Sequence, residues 1–191
     1  RSCYYPERVS AMGMALRWFP FWIQGIPLVV QDYVDSLSIH WIAHEMQHDE
    51  YQLRQIPILP GDTLIDLGAN NGLVCTFLAK KYPECRILAL EPRSDNYANL
   101  CATLLKNGIV NVYPYRLAIA GSERDAVIGG STRASGGASI VPGWYADDPD
   151  AINILETCPT TTLDILFRRH NIQECRFIKC DIEGGEFEAF L

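Results

Sequence analysis

The chain has no C-x-x-C pair, no polybasic stretch and no apolar run long enough to cross a membrane. Each absence removes a class of protein. Its seven cysteines, Cys3, Cys75, Cys85, Cys101, Cys158, Cys175 and Cys180, are odd in number, and several stand inside apolar runs such as Phe177-Ile-Lys-Cys180. That usage fits buried free thiols in a reducing, cytoplasmic compartment better than a disulfide framework or a zinc cluster. The densest basic patch is Arg168-Arg169 and the net charge is −7, so a surface that coats nucleic acid is not expected. The longest apolar run, Ile23 to Val30, is interrupted by Gln24 and Pro27, and no secretory signal is visible. What remains is 191 residues with 48% apolar and 20% charged side chains, the composition of one globular domain. The sequence starts at Arg1 and stops at Glu186-Phe-Glu-Ala-Phe-Leu191, in a helix scarcely begun, and reads as an excerpt of a longer polypeptide.

Two regions follow from the pattern. Residues 1–60 form an aromatic and helical lead-in, with Trp18, Phe19, Phe21 and Trp22 around Pro20, expected as short segments covering part of the core or a cleft. Within it, residues 36–56 carry helical periodicity through Ile39, Ile42, Met46, Leu53 and Ile56, stopped by Pro57 and Pro60-Gly61. Residues 61–191 alternate short apolar runs with helices. Strands are expected at Thr63–Leu67, Arg86–Leu90, within 110–119 and at 175–180, and helices at 72–82, after an N-cap at Ser94, and over 163–169. Residues 121–143 hold six glycines and suit a hairpin between Ala126–Ile128 and Ala138–Val141, while Trp144–Pro149 reads as an exposed loop. The β-α-β-α-β order implies an α/β fold, a doubly wound and mainly parallel sheet, truncated at its C-terminal end.

The sharpest constellation is Asp66-Leu-Gly68-Ala-Asn70-Asn-Gly72, placed where the first strand turns into the first helix. Glycines there allow a tight turn and a close approach to a ligand, and amides at a helix start favour an electronegative group. Asn70 occupies the position that a dinucleotide fingerprint reserves for glycine, which disfavours an oxidoreductase, and no Gly-Lys-Ser/Thr follows to make a P-loop. Glu91 ends the second strand roughly 20 residues on, where a carboxylate accepts both hydroxyls of a ribose. Lys179-Cys-Asp181-Ile-Glu183-Gly-Gly-Glu186 lies at the carboxyl end of the fourth strand and points its charges at the same cleft. Such carboxylates orient a hydroxyl or accept its proton. Glu186 serves equally well as an acidic decoration of a helix N-terminus.

With these pieces, the chain resembles the S-adenosylmethionine-dependent methyltransferases, specifically the FkbM-type family. The resemblance rests on Gly61 through Gly72, Leu90-Glu-Pro92, Thr162-Leu-Asp164 and Phe177 through Glu186, and covers about residues 45–191. It implies a Rossmann-like methyltransferase fold with S-adenosyl-L-methionine over the glycine loop. The cofactor would then lie over the loop that Gly68 and Gly72 form, with Asp66 and Asn70 near its methionine end, Glu91 on the ribose, and Leu117 and Ala118 near the adenine. The implied reaction is SN2 methyl transfer to a hydroxyl of a small-molecule acceptor, a sugar or a secondary metabolite. Asp181 is the first candidate for positioning or deprotonating that hydroxyl, with Glu183 and Lys179 behind it. A non-catalytic cofactor-binding or regulatory module of a larger protein is the alternative.

One motif points elsewhere. His44-Glu-Met-Gln-His48 is a literal H-E-x-x-H, the spacing that sets two zinc ligands and a general base on one helical face. No histidine follows at the spacing of a third ligand, and His170 is the only one downstream. No metal is therefore expected, and a zinc metallohydrolase remains the minor alternative.

Overall fold

The computed structural model describes residues 8–9, 15–131, 135–144 and 151–190. The lead-in opens with β1 (Arg8–Val9), β2 (Ala15–Ile23) and β3 (Ile26–Tyr33), an antiparallel sheet in the order β1-β2-β3. Short segments were the expectation; a long two-stranded ribbon is the finding. Its hinge is the Gln24-Gly25 pair, both at positive φ, the geometry that matches the twist of a two-residue hairpin. Helix α1 (Ser38–His48) follows and ends eight residues before the periodicity does, because Asp49 turns left-handed at φ 60°. A single 3-10 turn at Leu53–Gln55 still buries Leu53.

The central sheet takes the next elements: β4 (Thr63–Leu67), α2 (Leu73–Lys81), β5 (Arg86–Leu90), α3 (Ser94–Lys106) and β6 (Val112–Tyr115). Ser94 does not cap α3. Arg93 holds the cap position, and the Ser94 N–H donates instead to the Glu156 carboxylate at 2.6 Å, a partner remote in sequence. After Tyr115 the chain leaves this sheet, and β7 (Ala118–Ile119), β8 (Asp125–Ser131), β9 (Ala138–Ser139) and β10 (Ala151–Thr161) build a second one in the order β7-β10-β8-β9. The hairpin between the glycine-rich segments exists, but Gly129 and Gly130 face Ser139 and Ala138, whereas Ala126–Ile128 pair with β10. The expected loop after Trp144 lies outside the described residues.

Helix α4 (Leu163–Arg169), capped by the Thr162 hydroxyl on the Ile165 N–H, leads to β11 (Phe177–Cys180) and α5 (Glu186–Ala189). The central sheet is parallel throughout, in the order β11-β4-β5-β6. Its two inner strands, β4 and β5, are buried on both faces, as continuous apolar runs require. Leu64, Ile87 and Ala89 pack with α1, α2, α3 and the hairpin, and Ile65, Leu67, Leu88 and Leu90 pack with the α4 and α5 side. The doubly wound arrangement therefore holds, and the order reverses between β4 and β11, the place where such sheets open a cleft.

The lead-in is sewn into that core. The Tyr33 hydroxyl donates to Asp95, whose carboxylate also receives Arg93 Nε at 2.7 Å and a guanidinium NH2 at 2.8 Å, all three side chains buried. Gln31 N–H donates to the Thr103 hydroxyl, and Asn107 bridges both polar groups of Val29. Tyr33→Phe removes one donor from a buried carboxylate. It is expected to lower stability by about 1–2 kcal/mol, read as a lower urea midpoint with an unchanged slope.

Candidate active site

The cleft at the β4/β11 reversal contains a cavity of about 380 Å³, within the range that holds a cofactor-sized ligand. Its floor is the loop after β4. Gly68 has φ 73°, and a Cβ there would overlap the Asp181 carbonyl oxygen, so this crossing of the two strand ends admits only glycine. Asn70 is also left-handed at φ 50°, and its side-chain oxygen accepts the Asn71 N–H at 2.7 Å, a local bond that holds the strained turn.

Glu91 closes one wall. Its Oε2 accepts the Asn70 N–H at 2.7 Å and its Oε1 the Arg93 N–H at 3.0 Å. Glu91 lines the cavity with the Asn96 side chain beside it. Burial pushes its carboxyl up to about 7, against the pull of the two backbone N–H groups. Leu117 and Ala118 form the apolar continuation of that wall.

Asp181 and Glu183 also line the cavity. The Asp181 side chain is 55% exposed, and its Oδ2 lies 3.6 Å from Lys179 Nζ. Glu183 sits at φ 54°; its carboxylate receives the Trp144 indole N–H at 3.3 Å and its carbonyl receives the Ser139 hydroxyl at 2.6 Å. The Trp144 ring in turn lies against the Gly184 backbone. Glu186 turns inward to accept the Ile182 N–H at 2.8 Å, closing the turn rather than entering the cavity.

Three of the expected residues, Asp66, Gly72 and Lys179, stand behind the wall. The buried Lys179 ammonium donates to the carbonyls of Gly68 at 2.7 Å and Leu67 at 3.3 Å, and lies 3.5 Å from Asp66. Burial raises the Asp66 carboxyl, opposed by Lys179, and neither Asp66 oxygen makes a hydrogen bond. Gly72 lets α2 start against Leu100, whose Cδ1 would be 2.6 Å from any Cβ at that position.

Reading from motifs missed the remaining wall. Ser38, Trp41 and Ile42 of α1 and Ser135 to Ala138 close the cavity from the lead-in and the second sheet. Buried Asp32 accepts the Ser135 hydroxyl at 3.0 Å, Asn96 donates to the Ser135 carbonyl at 2.7 Å, and Gly136 N–H donates to the Ser38 hydroxyl at 2.9 Å. These are single serines and an aspartate scattered over 100 residues, with no motif to announce them. The H-E-x-x-H segment is otherwise engaged: Glu45 accepts the Tyr51 hydroxyl at 2.9 Å, and His48 Nδ1 sits 2.8 Å from the His44 carbonyl of its own helix. Among the described residues no group of three or more His, Cys, Asp or Glu side chains is gathered for a metal.

The family model described as the methyltransferase FkbM domain matches residues 66–191, which include the glycine loop, Glu91 and the Asp181 turn. The chain belongs to the FkbM methyltransferase family. No curated protein matches it. Among solved structures, M. jannaschii TYW2 in complex with AdoMet is 21% identical, with a TM-score of 0.40 over 51% of this chain and 42% of that one. Coclaurine N-methyltransferase bound to N-methylheliamine and SAH is 21% identical, with a TM-score of 0.35 over 38% and 21%. Precorrin-6y C5,15-methyltransferase from Geobacter metallireducens GS-15 is 21% identical, with a TM-score of 0.34 over 37% and 37%. The FkbM chain thus spans less than half the length of each of these three.

The residues fit the family's cofactor, S-adenosyl-L-methionine: a loop that a Cβ would obstruct, a buried carboxylate at Glu91 and a cavity lined by three acidic residues. Glu91 also yields a pH signature. Its folded value near 7 exceeds its ordinary 4.5, so the folded protein keeps a proton that the unfolded chain releases. Its contribution to stability is complete below the lower value and is lost as pH rises through about 7. Thermal melts across that window are expected to show Glu91→Gln flattening the decline.

Proposed function

We propose that this FkbM chain is an S-adenosylmethionine-dependent O-methyltransferase acting on a hydroxyl of a small molecule, a sugar or a secondary metabolite. The observation that carries the reading is one cavity lined together by the glycine loop, Glu91 and Asp181. Glu91 binds the ribose hydroxyls, and Leu117 and Ala118 flank the adenine. Gly68, Asn70 and Gly72, with Asp66 beneath them, shape the methionine end.

When bound, the cofactor supplies an electrophilic methyl on a positively charged sulfur. The protein's part is to hold the acceptor oxygen in line with that carbon, an orientation effect worth several powers of ten in rate. Asp181, reached from solvent and steadied by the Lys179 ammonium, accepts the hydroxyl proton as the new carbon–oxygen bond forms. Glu183, held by Trp144, orients a second acceptor hydroxyl. Lys179 acts through Asp181 and Asp66, behind the wall. Six free thiols among the described residues support a reducing, cytoplasmic setting, and no described helix is long and apolar enough to cross a membrane.

Two measurements test this. Calorimetric titration with S-adenosylhomocysteine is expected to show affinity rising with pH through about 7, as Glu91 ionises and regains its full acceptor capacity. Absence of binding by the folded chain removes the cofactor reading. Asp181→Asn is expected to lower methyl transfer by roughly 100-fold or more with S-adenosylhomocysteine affinity within about twofold. Binding without turnover over a panel of hydroxylated acceptors, unchanged by that substitution, assigns the chain to a cofactor-binding module.

A further inference from the structure

Helix α1 lies outside the span matched by the family, yet it supplies one lip of the cavity. Its first residue, Ser38, is fastened to Gly136, where an added Cβ would stand 3.9 Å from the Asn70 side-chain nitrogen. Farther along, Glu45 holds the Tyr51 hydroxyl, and burial raises that phenol together with the charges of Glu45, Asp181 and Asp66. Ser38, Trp41 and Ile42 of the helix line the same cavity as Asn70 and Asp181. Trp41, four residues before Glu45 on the same face, is 66% exposed. Leu37, equally exposed one turn earlier, continues the apolar lip outward.

The charges of the wall are one-sided. Among the described residues it carries three carboxylates, Glu91, Asp181 and Glu183, and no Lys, Arg or His. Two buried cations near it are engaged elsewhere, Lys179 by Asp66, Asp181 and two carbonyls and Arg93 by Asp95. An indole face next to acidic hydroxyl acceptors recognises a ring with one apolar face and polar edges. The same wall repels an anion, because like charges meet there in a partly desolvated cleft.

We propose that the acceptor binds as an uncharged, hydroxyl-bearing ring laid on the Trp41 indole, with its reacting hydroxyl at Asp181, and that phosphorylated or carboxylated forms of the same ring are excluded. Trp41 is thus a specificity-determining residue contributed by the lead-in. The inference rests on the methyltransferase reading for the identity of the reacting hydroxyl, but its recognition chemistry is tested without turnover.

The experiment uses the full chain saturated with S-adenosylhomocysteine and ligand-observed NMR with three probes: 4-nitrophenyl β-glucoside, its 6-phosphate and the corresponding glucuronide. The neutral glycoside is expected to bind in the millimolar range or better, and both anionic probes at least about tenfold more weakly. Trp41→Ala is expected to weaken the neutral probe by roughly five- to tenfold and Trp41→Phe by about twofold, with S-adenosylhomocysteine affinity unchanged. Equal or tighter binding of the anionic probes overturns the proposal, as does Trp41→Ala binding like the parent, or a neutral probe that does not bind at millimolar concentration. If S-adenosylhomocysteine itself fails to bind while the neutral probe still prefers Trp41, the cofactor reading falls and this one stands.

Discussion

The Lys179 ammonium holds the site together. It is buried at the crossing of β4 and β11, donates to the Leu67 and Gly68 carbonyls, and lies within 3.6 Å of Asp66 and Asp181. One cation thus sets the mouth of the glycine loop, offsets the charge of the buried Asp66 carboxylate, and steadies the Asp181 carboxylate at the cavity. Taking the ammonium away would leave Asp66 as an uncompensated buried charge, the kind of change that costs about 3–5 kcal/mol. Gly68 belongs to the same constraint: Asp181 can cross so close to the loop only because no side chain stands there.

A second constraint closes the cavity from outside the family-matched segment. Asp32, Tyr33 and Ser38 of the lead-in reach respectively Ser135, Asp95 and Gly136; Asn96 donates to Ser135, and Arg93 pairs with Asp95 while its N–H donates to Glu91. The hairpin is therefore structural to the cavity wall, and its polar anchors are buried where water cannot replace them.

Much of the central sheet is legible from local chemistry. Thr63–Leu67 and Arg86–Leu90 are short, continuously apolar and followed by turn residues, and both appear as parallel strands buried on two faces. The 11-residue β10 escaped notice because Pro159 interrupts its β-branched pattern and because its partners, β7 and β8, come from distant segments. Ser94 carried the right side chain for a cap, yet the Glu156 carboxylate took that donor from across the fold. Residues 36–56 kept an apolar stripe through a helix end, since Leu53 is buried from a 3-10 turn as well as it would be from a helix. Periodicity reports burial first and hydrogen bonding only second.

By itself, the sequence determined the glycine loop, the acidic residue at the end of the second strand and the acidic turn at the end of the last, and with them the family. Their meaning is local: each needs only its own turn and the strand before it. Only the tertiary structure decided which groups face the cavity. Lys179 and Asp66 read as part of an open charged cluster, but they lie behind the wall, because the β4–β11 pairing places Lys179 directly opposite Asp66. Ser38 and Trp41 carried no signal, yet they line the cavity, because hydrogen bonds spanning about 100 residues bring α1 over the loop. Side-chain identity is written in the chain; which side of a wall it stands on is set by contacts between segments far apart.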